Sequence, residues 1–260
     1  MSASTGAVPG PIISRVTVIR VVTLLAVWAI YEAASRSGLF FEGVVPSSFV
    51  VLRTMFETLA SPEFYPHLFR TLTEVVSGFV VGVVAGVSVG IVFGSSRLIA
   101  GMISPWVNYL GPAPKIIFLP ILLLVFGVGM GSKVAMAALS AFFPVVIATH
   151  AGMRHIPPVY LRVAKTFNAS WHQIVTKVYI PALVAPVMTS FRLAIGVAFI
   201  GTLLAEIKLS NQGLGYLIIQ HYNFLRIPEM YAVLLLTFML AVAANASMGW
   251  LADRVEHERH

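Results

Sequence analysis

Residues 157–181 read PPVYLRVAKTFNASWHQIVTKVYIP, and this stretch governs how the rest of the chain is read. It is the longest polar, basic segment lying between two strongly apolar ones. Pro158 suits the first turn of a helix, where its missing N–H costs nothing. Tyr160, Val163, Ala164 and Phe167 then recur at helical spacing and make one apolar stripe. Asn168 tolerates the left-handed conformation that ends a helix. Ser170 and Gln173 stand as in a capping box that starts a second helix. The spacing predicts two short helices meeting at a tight corner, a surface knob shaped to fit another protein.

The flanking composition is that of a membrane protein. With 58% hydrophobic residues, 10% charged residues and a mean hydropathy of +0.90, a soluble domain is excluded. The chain has no cysteine, which removes disulfides, thiolate chemistry and Cys-based metal sites. Its histidines form no i, i+4 pair, so zinc chemistry has no support and no metal is expected. The net charge of +7 would suggest nucleic acid in a soluble chain. In a membrane chain it is first a topology signal, and no nucleic-acid partner is expected.

Taken in order, the chain predicts six crossings. After a polar stretch at 1–15, residues 16–34 read as a retained first span rather than a cleaved leader. Residues 37–66 form a loop with a short helix near 48–59, and Glu32 is expected at an interface. In the second span, about 68–93, Gly78, Gly82, Gly86, Gly90 and Gly94 recur every fourth residue. Such a row lets a neighbouring backbone approach closely and predicts a helix at the heart of the bundle. The third span, about 102–126, is interrupted by Pro105, Pro112, Pro114 and Pro120, and Lys115 lies inside this broken region. A tight hairpin over Gly127–Lys133 leads to a fourth span at 134–150. The fifth runs over 178–207 with Arg192 inside it, an outer segment covers 208–228, and the sixth runs over 229–251 before a charged tail.

Basic residues fix the expected orientation. With both ends and the knob in the cytoplasm, Arg15, Arg20, Arg97, Arg154, Arg162, Lys165, Lys177, Arg254 and Arg259 lie inside. Arg36, Arg53, Lys133, Lys208 and Arg226 fall outside, with Glu42, Glu57 and Glu63. The excess inside follows the positive-inside tendency. The knob is therefore expected in the cytoplasm.

Broken helices, close-packing glycines and intramembrane cations point to a transport pathway. Gly127–Lys133 is not a nucleotide loop, because it reads G-S-K between two spans rather than G-K-[ST] opening a helix. Any ATP energy must then come from a partner docked at the knob. A stand-alone secondary carrier or channel would need intramembrane acids for proton relay, for which Glu74 and Glu32 are the candidates. An intramembrane enzyme would need a polar catalytic cluster, and none is visible.

The knob resembles the EAA loop of the membrane subunit of ABC importers. Arg162, Val163 and Ala164 align with E-A-A, Asn168 with its glycine, and Tyr179, Ile180 and Pro181 with the later I-x-L-P. Arg162 for glutamate makes the knob more basic; Asn168 for glycine is mild, since both accept a left-handed corner. The resemblance extends over 106–252 through Pro112-Ala113-Pro114-Lys115, Phe126-Gly127-Val128-Gly129, Phe142-Phe143-Pro144, Arg192-Leu193-Ala194, Ala205-Glu206 and Gly213-Leu214-Gly215-Tyr216. It is similar to the permease of a type I ABC importer, in the branch for nitrate, sulfonates, taurine and bicarbonate.

That resemblance implies an all-α, polytopic six-helix bundle, one permease domain over 1–260, with a coupling loop at about 152–178 and a tail at 252–260. It implies a multi-pass protein of the bacterial inner membrane, with cytoplasmic termini, set among membrane lipid. The expected partners are a second permease copy forming a homodimer, two ABC ATPase subunits that bind Mg-ATP, and a periplasmic or lipid-anchored solute-binding protein. The chain itself is expected to carry no cofactor and no catalytic residue. Tyr160, Arg162, Val163, Ala164, Lys165, Phe167 and Asn168 are the expected ATPase-coupling residues. Lys115 and Arg192 are the expected pathway residues for a small anion. Glu206, Gly213 and Gly215 are expected at an outer gate or at the binding-protein docking surface.

Overall fold

The computed structural model describes residues 15–38 and 43–257, and every regular element among them is helical. Residues 1–14, Glu42 and Arg259, used in the sequence reading, lie outside the described residues. The elements in order are α1 (Arg15–Arg36), α2 (Ser48–Ala60), α3 (Phe64–Ser95), α4 (Arg97–Leu110), a 3₁₀ turn (Lys115–Phe118) and α5 (Leu119–Phe126). Then follow α6 (Met130–Arg154), α7 (Pro158–Thr166), α8 (Trp171–Ile174), α9 (Ile180–Lys208), α10 (Leu214–Asn223) and α11 (Ile227–His257).

The glycine row of α3 sets the packing. A Cβ at Gly82 would lie 2.6 Å from the carbonyl oxygen of Ala138, and one at Gly86 would lie 2.8 Å from Cβ of Val145. At Gly90 it would lie 2.5 Å from Cβ of Thr149, while Gly78 and Gly94 abut Ala137 and Met153. Only hydrogen at these positions allows α6 to lie so close. Residue numbers rise together along the two helices, so α3 and α6 run parallel.

Parallel neighbours demand that the chain between them cross back. The crossing is made by Leu98–Leu110 and Lys115–Phe126, two apolar pieces bent by 97°. Successive contacts record its climb along α6: Lys115 lies over the Phe143 ring, Leu119 packs with Met136, and Phe126 meets Gly131. The expected third span is thus real, but it is an elbow rather than a kinked rod. Pro112 and Pro114 supply no N–H there, so the helix ladder cannot continue through the bend. The other long apolar helices cover Thr17–Arg36, Phe64–Ser95, Met130–Arg154, Trp171–Lys208 and Ile227–Val255.

α9 runs antiparallel to α6, with Leu183 and Pro186 against Gly152 and with Gly201 against Ser140. α11 returns along α9, where Asn245 donates to the Arg192 carbonyl at 2.9 Å. Val75, Ala137, Ala141, Val145, Ala194, Ile195, Ala198 and Phe199 form the core where α3, α6 and α9 meet. α1 stands apart from this core and is fastened near its C-terminal end. Tyr31 donates to the Pro46 carbonyl at 2.7 Å, and Glu32 accepts from the Ser48 amide and hydroxyl at 3.1 and 2.7 Å. Glu32 therefore acts as a carboxylate cap on the first turn of α2.

Three expectations need correction. α6 begins at Met130, so Gly131 and Lys133 belong to a helix rather than to a hairpin. The Lys133 side chain is 1% exposed, not in an external loop. Its ammonium is held inside by the carbonyls of Val128 and Leu209, the latter at 2.6 Å. The tail expected from Asp253 onward continues α11 to His257, with the Arg254 guanidinium 3.9 Å from the centre of the Trp250 ring. Replacing Gly82 by Leu should force α3 off α6 and lower the detergent melting temperature by the several degrees of an overpacked core, about 1–3 kcal/mol. Gly101→Leu, where a Cβ meets nothing within 4 Å, should leave it unchanged.

Candidate functional site

The knob at one end of the bundle forms as its residues require. α7 starts on Pro158, and Asn168 takes a positive φ of 50°. Around that corner the Ala169 amide donates to the Ala164 carbonyl at 2.9 Å and the Asn168 amide to Lys165 at 3.0 Å, which ends the helix. Both halves of the capping box are made: Gln173 N–H donates to Ser170 Oγ at 3.4 Å, and Ser170 N–H to Gln173 Oε1 at 2.8 Å. The second helix is not short, however. α8 runs through a π turn at Val175–Tyr179 directly into α9. Pro181 has no N–H to donate, and the hydrogen-bond ladder widens just before it, with Ile180 N–H reaching back to Val175.

The apolar stripe faces outward. Tyr160, Val163 and Phe167 are exposed, Phe167 by 81%. With Val159, Ala164 and Pro181 they line an open groove of about 780 Å³ between α7 and the start of α9. Arg162, Lys165 and Asn168 are exposed on the same short helix and its corner. What fastens α7 to the bundle is a residue the stripe omits. Leu161 packs with Ile156 onto Ile91, Met153, Tyr179, Leu183 and Val187.

Lys115 and Arg192 flank one face of α9. Lys115 stands at the elbow, donates to the Gly111 carbonyl and lies 5.2 Å from the centre of the Phe143 ring. It lines a mainly apolar cavity of about 710 Å³ bounded by the elbow, α6 and α9. Arg192 is exposed near the middle of α9 and lines a second groove, about 720 Å³, between α9 and α11. Leu193, Val197 and Ile200 border both spaces, so a single ridge of α9 separates the two cations. No ion pair to either cation is found among the described residues, where Glu74 is taken by Arg70 and Glu32 by Arg36.

Glu206, Gly213 and Gly215 come together at the end opposite the knob, with partners the sequence did not suggest. The Glu206 carboxylate is fully buried. It accepts from Thr71 Oγ1 and from the Gly215 amide, each at 2.7 Å. Leu214 N–H donates to Thr71 Oγ1 at 2.8 Å, and Gly213 N–H to Nδ1 of His67 at 3.1 Å. Both glycines are required. Gly213 has a φ of +108°, and a Cβ there would enter the Glu206 carboxylate; at Gly215 it would lie 2.8 Å from the Leu203 carbonyl. Arg70 holds Glu74 at 2.8 Å, and the free Glu74 oxygen abuts Glu206. Lys133, buried near both acids, is held by backbone carbonyls, so among these four residues the ion pair is Arg70–Glu74. Buried this way, Glu206 offers no surface of its own to a docking protein.

Residues 78–258 match the family model described as binding-protein-dependent transport system inner membrane component. A probable ABC transporter permease protein of Haemophilus influenzae is 31% identical over 231 residues, covering 89% of this chain and 92% of that protein. The permease protein SsuC of Bacillus subtilis (strain 168), named for aliphatic sulfonates transport, is 30% identical over 78% of this chain and 74% of its own. The taurine transport system permease protein TauC of Escherichia coli (strain K12) is 25% identical over 90% and 88%. In fold, the chain is similar to one in an inward facing structure of the MetNI methionine ABC transporter. The TM-score is 0.59 at 20% identity, over 80% of this chain and 97% of that one. A helical bundle with an elbowed crossing, matched over most of its length, leaves one conclusion: the chain belongs to the binding-protein-dependent transport family and is a multi-pass inner-membrane permease component of an ABC transporter.

Proposed function

We propose that this permease works as a homodimer, carries a small organic anion of the sulfonate type, and is driven through its knob by two copies of a separate ATPase that bind Mg-ATP. The observation that carries the proposal is the exposed stripe of Tyr160, Val163 and Phe167 along an open apolar groove. A soluble surface has no use for so much uncovered apolar area, and a helical partner groove or ridge would bury it. Arg162 and Lys165 beside it would steer and orient that partner. The excess of basic residues at the knob end supports a cytoplasmic side for it and for both termini.

The anion reading rests on Lys115 and Arg192. A cation exposed near the middle of a span cannot face lipid cheaply, so the Arg192 face belongs to a watery passage or to a second copy. The cavity beside Lys115 pairs one ammonium with apolar walls, which suits an acid group on an aliphatic body better than a bare inorganic ion. Relatives named for aliphatic sulfonates and taurine agree with that chemistry. A binding protein would deliver the solute to the end opposite the knob, near Gly213, Gly215 and the loop they hold. ATP binding that favours one arrangement of the assembly would then switch access between the two sides.

Co-purification separates this reading from a stand-alone carrier or channel: a stoichiometric ATPase is expected with the permease, and its absence would sink the proposal. Replacing Tyr160 and Phe167 by Ala should weaken ATPase attachment at least tenfold in a pull-down titration while leaving membrane insertion intact. Lys115→Ala and Arg192→Ala should each lower taurine or alkanesulfonate uptake into proteoliposomes, with the ATPase still bound. Unchanged uptake in both would remove these residues from the pathway.

A further inference from the structure

The far end of the bundle holds a set of long-range contacts at the start of α10. Three successive amides open α10, and each donates to a different side chain: Gly213 to His67, Leu214 to Thr71, Gly215 to Glu206. A backbone amide can only donate, so Nδ1 of His67 has to present a lone pair. The imidazole in this contact is therefore neutral, with its proton on Nε2. Protonation would set a second N–H against that of Gly213, and the bond could not form.

We infer that His67, Thr71 and Glu206 are positioning residues that clasp the start of α10, and that His67 makes the clasp release in acid. His67 and Thr71 lie one turn apart on α3, so they present their acceptors on the same face. The amides cannot slide to other partners, because Gly213 and Gly215 are wedged against Glu206. Tyr216 stacks on the imidazole at 5.7 Å and 20°, which keeps the ring in register with Gly213.

The ring borders a polar cavity of about 640 Å³ at the surface, so protons can reach it. The titratable and charged groups around it are Glu63 from the residue before α3, Tyr216 and His221 from α10, and Arg226 and Glu229 at the start of α11. Glu206 of α9 lies beyond Gly213. Burial holds the His221 imidazole below its usual range. Arg226 is opposed in sign by Glu63 and Glu229, so the surroundings hold no cation cluster that would by itself keep His67 uncharged. What is lost on protonation is the Gly213 bond. The segment that follows the last turn of α9 is then held by two contacts instead of three.

The test uses the full-length chain in lipid nanodiscs and needs no partner or solute. Hydrogen–deuterium exchange is measured at about pH 7.5 and about pH 5.5, either side of the ordinary imidazole range, with rates corrected for intrinsic chemistry. Peptides covering 211–217 should lose protection about fivefold in acid, the worth of one hydrogen bond, while peptides of α6 should not change. His67→Asn places an oxygen where Nδ1 stands and does not titrate, so this variant should keep its protection at both pH values. Equal protection of the native chain at both pH values, or the same acid loss in His67→Asn, overturns the inference.

Discussion

The contact between α3 and α6 is the constraint on which the other elements depend. In hydrocarbon there is no water to drive apolar faces together, so two helices associate through close fit and internal polar bonds. Five glycines at a spacing of four give α3 a flat side, and α6 meets it with Ala137, Ala138, Ala141 and Val145. Because the two helices are parallel, the chain must cross back between them. The proline-interrupted stretch from Arg97 to Phe126 makes that crossing as an elbow, and the elbow in turn opens the cavity beside Lys115.

Polar groups in the bundle divide into two kinds, and the difference is physical. Arg70, Glu74, Lys133 and Glu206 are brought together from α3, α6 and α9; Glu74, Lys133 and Glu206 are buried, and the partly exposed Arg70 pairs with Glu74. Removing one member would leave a buried charge without its partner, the costly situation inside a protein. Lys115 and Arg192 make no ion pair among the described residues, and both border open spaces. The first group holds the far end together; the second is the pair on which the proposed anion pathway rests.

The knob is built almost wholly from local interactions. A proline start, a left-handed asparagine, a reciprocal Ser170–Gln173 cap and a helical stripe all act within a few residues of one another. Its connection to the bundle is not local. Leu161 anchors α7 in a cluster with Ile91 and Leu183, and a π turn carries α8 into α9 without a break. The groove is therefore joined to α9 by a continuous rod, which also carries Arg192 and ends beyond Glu206.

From residues alone one could read the membrane class, the crossings, the close-packing row on α3, the knob and its corner. Each of these is a matter of spacing along one helix or of chemistry within one turn, and such patterns survive in a linear string. The tertiary structure decided that Lys133 and Glu206 are buried, that the third crossing turns through a near right angle, and that the second knob helix runs on into a span. It also supplied His67 and Thr71, whose partners lie 146 and 143 residues away. No periodicity marks such pairs. They exist only because parallel packing of α3 with α6, and antiparallel packing of α9 against both, carries the start of α3 and the end of α9 to the same depth.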